Sequence, residues 1–239
     1  MNFLLGCICI YSFSKLWKYF QYVILNTDKY TNNEVFKKKR LFENNTNSQE
    51  YKKNKIYYIN TIVSCFHSFI CGFILPYFIY NYQNSIYLDF FCIFSSSYFL
   101  YDTYECLNIN EYMYVLHHII SFIPLLLSVN DYNLLEPVLT VTFLSENTAF
   151  FHNLGYILKK NNIYYYKHVW LFNVVNFIVL RLVFIPIVFF YESQKYTYED
   201  VLPFYISFTA LIAGNIHWAK GQIRSGKKLV REIIYKKID

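Results

Sequence analysis

Breaks are what this sequence has least of. Five prolines and six glycines in 239 residues leave long stretches with little to interrupt a helix. Charge is sparse as well, at 16% of residues. The six cysteines (Cys7, Cys9, Cys65, Cys71, Cys92, Cys106) form neither a CxxC pair nor a paired framework, which argues against a redox dithiol or a disulfide scaffold. All lie in apolar segments, where a free thiol packs as a small hydrophobe; S-acylation of Cys7 or Cys9 is the alternative. No HExxH, no glycine-rich phosphate loop and no GxSxG elbow occurs. The apolar runs do not alternate with period two, which argues against a transmembrane barrel.

What is plentiful is apolar surface: 55% of residues are apolar and 22% aromatic. The apolar residues fall in repeated runs near ~20 residues, the length that crosses ~30 Å of hydrocarbon. These runs predict an all-α fold, a polytopic membrane bundle of about seven spans. Residues 1–25 form an N-terminal anchor helix whose Lys15 and Lys18 snorkel to the interface. Residues 26–55 are a polar Asn/Lys-rich linker, with Lys37 to Arg40 as a basic run and a glycosylation sequon at Asn44. Six spans follow within 56–219, at roughly 56–80, 85–107, 112–129, 134–158, 164–191 and 201–219. Residues 220–239 are a basic tail, mildly amphipathic, expected along the headgroups.

Lys and Arg collect on one side of this arrangement. The linker, the Lys159–Lys160 turn and the tail share a side, whereas the other side receives Lys195 with Asp131, Glu192, Glu199 and Asp200. By the positive-inside rule the carboxyl terminus is cytosolic and the sequon is not modified. The same distribution accounts for the net charge of +6 without a nucleic-acid partner.

Ionisable groups inside the spans are the candidate functional residues, because at membrane depth they face a protein interior or a wet cavity. The run YMYVLHHIISFIPLLLSV carries His117 and His118; the preceding span carries Asp102 and Glu105. Asp102 and His117 lie equally far from the 108–111 turn, so an antiparallel hairpin brings them to similar depth. Ser121 shares a face with either histidine, and Pro124 is placed to kink the helix. His67 lies about 16 Å into its span. Glu146 and Arg181 are also mid-span, so Glu146 pairs with Arg181 or serves His67 or a ligand. Asn153 shares the Glu146 face, with His152 well off it. Asn176, Asn215 and His217 read as interhelical contacts. Adjacent histidines point about 100° apart on a helix, so the spacing gives no sign of a metal site.

Six segments, in this order, resemble the TLC domain family, which includes ceramide synthases: VSCFHSFICG (63–72), SSYFLYDTYECL (96–107), LHHIISF (116–122), FLSENTAFFHN (143–153), FIVLRLVF (177–184) and NIHWAKG (215–221). The resemblance implies a six-helix core around a lipid-accessible cavity, preceded by an anchor helix, in the endoplasmic reticulum. It places His117, His118 and Asp102 at positions on which ceramide synthases depend for acyl transfer from acyl-CoA to a sphingoid amine. Those enzymes carry a pair of aspartates in the segment where this chain has Glu146 alone, a pattern more similar to the small TLC domain-containing proteins. Phe150 and Gly155 stand where a Pro and an Arg are usual.

The leading expectation is therefore binding, sensing or redistribution of membrane lipid, with His67, Glu146, Asn153 and Arg181 as ligand contacts. The alternative is an N-acyltransferase with His117, His118 and Asp102 as catalytic residues and acyl-CoA as co-substrate. No other cofactor and no metal is expected. A transporter is disfavoured because no inverted repeat is visible. The sequence leaves the oligomeric state open, a homo-oligomer included.

Overall fold

A computed structural model describes residues 2–30, 48–82, 85–128, 132–195 and 198–235. All regular structure among them is helical, as the apolar runs predict, and it forms seven rods. α1 is Asn2–Tyr30. α2 joins Ser48–Phe69, a π-helical stretch Ile70–Ile74 and Leu75–Tyr82 into one rod. α3 is Ser85–Asn108, α4 Tyr112–Ser128 and α5 Tyr132–Lys160. α6 joins Tyr166–Phe177, a second π-helical stretch Ile178–Phe184 and Ile185–Ser193. α7 is Tyr198–Tyr235.

The packing partners close a ring. α2 lies against α3, α3 against α4, α4 against α7, α7 against α6, α6 against α5, and α5 returns to α2. α4 also touches α5 across the ring, with Leu125 and Val138 in one buried apolar cluster. α1 stays outside, on α2 and α3. Its Phe13 inserts among Phe94, Tyr98 and Tyr101, and its Trp17 indole donates to Asn60 Oδ1 at 2.6 Å.

On two helices the side-chain distribution is the reverse of that in a water-soluble bundle. On α4, Leu116, Ile119, Ile123 and Leu126 recur at helical spacing and point outward, whereas His118 is 5% exposed. On α6, Val175, Val179 and Val183 point outward while Asn173 and Arg181 are buried. Helices bathed in hydrocarbon place their polar residues against one another. Among the described residues two helices, 56–81 and 166–192, are long and apolar enough to cross a bilayer by composition alone. In α3, α5 and α7 the inward polar residues dilute the apolar signal.

The α3–α4 turn fixes how those two helices face. Asn110 takes φ 57°, the left-handed geometry that ends helices; Glu111 N–H donates to Cys106 O at 2.9 Å and Asn110 N–H to Leu107 O at 3.2 Å. Pro124 lies within α4, which continues through it as one helix. The tail departs from expectation. α7 runs unbroken to Tyr235, so the described part of the basic segment continues the last helix and is not a separate element. An ion pair of 3.0 Å between Lys167 and Glu232 ties this extension to α6. Both ends of the expected linker are helical as well, in α1 and α2; Lys37 to Arg40 and the sequon at Asn44 lie outside the described residues.

One glycine sets a helix separation. A Cβ on Gly72 would meet the backbone nitrogen of Asn147 at 2.8 Å, so the π stretch of α2 touches α5 beside Glu146.

Candidate functional site

The ring encloses a cavity of ≈ 400 Å³. Along α7 its lining runs from Ser207 to Ser225, about 27 Å of helix at ~1.5 Å per residue. Phe99, Phe177 and Leu211 contribute apolar wall, and three polar centres reach it through Asp102 and His118, Ser68 and Glu146, and Arg181. His67, expected as a ligand contact, is fully buried behind Glu146 and is not part of the lining.

The first centre joins α3 to α4. His118 Nε2 lies 3.1 Å from Asp102 Oδ2, and both residues are buried. Tyr98, one helical turn before Asp102, donates its hydroxyl to the same oxygen at 2.9 Å. His118 therefore takes the place expected for His117. His117 is half-buried and meets the Trp218 ring edge-on, 4.8 Å between centroids. Both histidines and Ser121 line the cavity.

The second centre joins α2 to α5. Glu146 Oε2 accepts from Ser68 Oγ at 2.6 Å and lies 3.4 Å from His67 Nδ1. The other ring nitrogen of His67 is 3.3 Å from both Ser95 Oγ and Cys71 Sγ. The imidazole stacks on Tyr98 at 3.8 Å with 13° between planes. Tyr98 thus touches both centres: its ring covers His67 and its hydroxyl holds Asp102.

The third centre surrounds Arg181, in the π stretch of α6. Its guanidinium donates to Thr148 Oγ1, to the Ser145 carbonyl at 2.6 Å and to Asn215 Oδ1 at 3.3 Å, and lies 5.3 Å from the Phe177 ring centre. Of the protein partners expected for Glu146, His67 is the one it meets. Among the described residues no carboxylate forms an ion pair with Arg181. Asn153 donates to Ser64 Oγ at 2.8 Å and lines the cavity as expected. His152 lines it too, 3.0 Å from Gln222 Nε2, contrary to the helical-face reading. Both His152 and Asn153 are therefore part of the lining. Asn176 and Asn215 make interhelical contacts, but His217 is exposed.

The TLC domain family model matches residues 58–219, about two thirds of the chain. The chain belongs to the TLC domain family. Neither a curated protein nor a solved structure matches it. Membership makes this a membrane protein with a lipid-related function.

Within this TLC domain the neighbours of the expected polar residues went unread in the sequence. Tyr98 and Cys106 each lie four residues from Asp102, and Ser68 directly follows His67. The i, i+4 spacing is the signal that finds the first two. Thr148 and Asn215 around Arg181 come from other helices, and although Asn215 reads as an interhelical contact, no local pattern ties either of them to Arg181.

Proposed function

We propose that this TLC domain protein binds one membrane lipid in the ring cavity, as a lipid binder or sensor of the endoplasmic reticulum with its carboxyl terminus in the cytosol. The headgroup lies among the His118–Asp102, His67–Glu146 and Arg181 centres, with Asn153 beside them, and the acyl chain lies against the apolar wall. The observation that carries this reading is the convergence of three buried polar centres on one ≈ 400 Å³ cavity, within the ~300–1,000 Å³ range of small-molecule sites. The centres include a cation, Arg181, whose hydrogen bonds among the described residues go to neutral acceptors, with the Glu146 carboxylate acting on it only beyond ion-pair distance. A buried charge without a direct partner is costly at membrane depth, and a polar headgroup supplies one. The basic residues collected at one side of the bundle support the cytosolic placement of the carboxyl terminus.

The test is lipid extraction from the purified protein followed by mass spectrometry. A defined lipid at about one per chain is expected. His118→Ala should reduce its retention roughly tenfold, since one lost polar contact at a buried site is worth about 1–3 kcal/mol. Unchanged lipid in the variant would remove the first centre from the site.

One observation favours N-acyl transfer as a second reading. His118 Nδ1 is buried without a hydrogen-bond partner among the described residues, while Nε2 faces Asp102. With Nε2–H donating to the carboxylate, Nδ1 is left with a free lone pair, the form of a general base. In that reaction the amine nitrogen attacks the acyl-CoA thioester carbonyl and His118 takes the amine proton. The C–S bond breaks, and His118 returns the proton to the departing sulfur so that CoA leaves as the thiol. Long-chain acyl-CoA and a sphingoid base, with His118→Ala as control, test it. Amide formed only by the wild type supports transfer, and lipid bound without turnover supports the binder.

A further inference from the structure

Asp102, Cys106 and His118 are all buried, all line the cavity, and bring one donor atom each within 4.8 Å of one another. We propose that they form a three-ligand site for a thiophilic divalent cation, zinc by the chemistry of the donors, with the fourth position open to the ring cavity.

The scaffold suits a metal. Asp102 and Cys106 are one turn apart on α3, and His118 approaches from α4 across a turn pinned by the Glu111 to Cys106 backbone bond. Tetrahedral zinc with bonds of ~2.0–2.3 Å sets its ligands roughly 3.3–3.8 Å apart. The Asp102–His118 contact, at 3.1 Å, is close to that edge, and the Cys106 sulfur lies no more than 4.8 Å from either donor. Tyr98 supplies the outer contact that orients a metal-bound carboxylate, through its hydroxyl on Asp102 Oδ2.

Charge points the same way. Asp102 is a buried carboxylate with no Lys or Arg partner among the described residues, answered only by a phenol and an imidazole. A divalent cation bound by carboxylate, thiolate and neutral imidazole sums to zero. That neutral assembly is the form a low-dielectric interior tolerates best. Thiolate and imidazole together select zinc-like ions over magnesium or calcium, which take oxygen ligands. Three protein ligands with a free fourth position are the pattern of sites that bind an exchangeable oxygen, here a water or a headgroup oxygen.

The test uses full-length protein purified in detergent, with its affinity tag removed and no chelator present. About one zinc per chain is expected by elemental mass spectrometry, with cobalt replacing it to give a thiolate-to-cobalt charge-transfer band in the near ultraviolet. Asp102→Asn and Cys106→Ser should lose most of the metal, and Cys106→Ser should lose the band, whereas Cys65→Ser should keep both. Helix content by circular dichroism controls for folding. Cobalt-saturated wild type without a thiolate band would overturn the site, and needs no variant. Metal and band undiminished in Cys106→Ser would overturn it equally. Lipid measured in the same preparations fails or survives separately, because the metal requires no lipid.

Discussion

At the scale of single residues, the two histidines of α4 take different surroundings, although they are adjacent. His118 is held by Asp102, and His117 lies against Trp218. That a polar pair sits inside an apolar run is legible in the sequence, and so is the nearness of Asp102. Which imidazole meets the carboxylate is not, because neighbouring positions differ by about 100° and the rotation of α4 is set by packing on α3 and α7. Tyr98 tests the link between centres. Tyr98→Phe keeps the stack on His67 and removes the hydroxyl from Asp102, so a loss of roughly 0.6–1.7 kcal/mol in unfolding free energy is expected. A denaturation midpoint in detergent checks it, and a neutral result would mean that Asp102 is held without the phenol. Glu146→Gln removes the carboxylate that faces His67 and Ser68. It should destabilise by about 1–3 kcal/mol, because its buried partners lose an ionised acceptor. The same midpoint measurement reads it, with Glu146→Asp as the charge-preserving comparison.

At the scale of elements, α2 and α6 each contain a π-helical stretch, and each stretch adjoins a polar centre. His67 and Ser68 lie just before Ile70–Ile74, and Arg181 lies within Ile178–Phe184. Such stretches cluster at functional sites because the extra residue re-aims side chains. Neither was readable beforehand: ICGFI and IVLRLVF are ordinary apolar runs, and the local winding follows from tertiary packing. Gly72 shows what that packing demands, with no room for a Cβ beside Asn147. Gly72→Val should push α2 from α5 and cost about 1–3 kcal/mol, the usual penalty for overpacking. It should also weaken lipid retention, since Glu146 and His67 approach each other from these two helices. Normal stability with normal lipid content would show that the helices separate freely here.

At the scale of the whole molecule, the number of rods and their rough limits were legible from apolar runs and short polar connections. The ring order was not, because hydropathy carries no record of which helix lies beside which. Hydropathy also weakens as a guide where the interior is polar: α5 holds Glu146, Asn147, His152 and Asn153 in one rod and does not pass as a span by composition. The same polar interior that hides the spans makes the cavity. Ala149 lies on its wall, on α5. Ala149→Trp should fill the space with an indole while leaving the ring contacts in place. The most direct measurement is native mass spectrometry of wild-type protein and Ala149→Trp released from the same membranes. One lipid per wild-type chain and none on the variant, at similar thermal midpoints, is the expected result. A wild type that carries no lipid, or a variant that carries as much, would contradict the cavity as a lipid site.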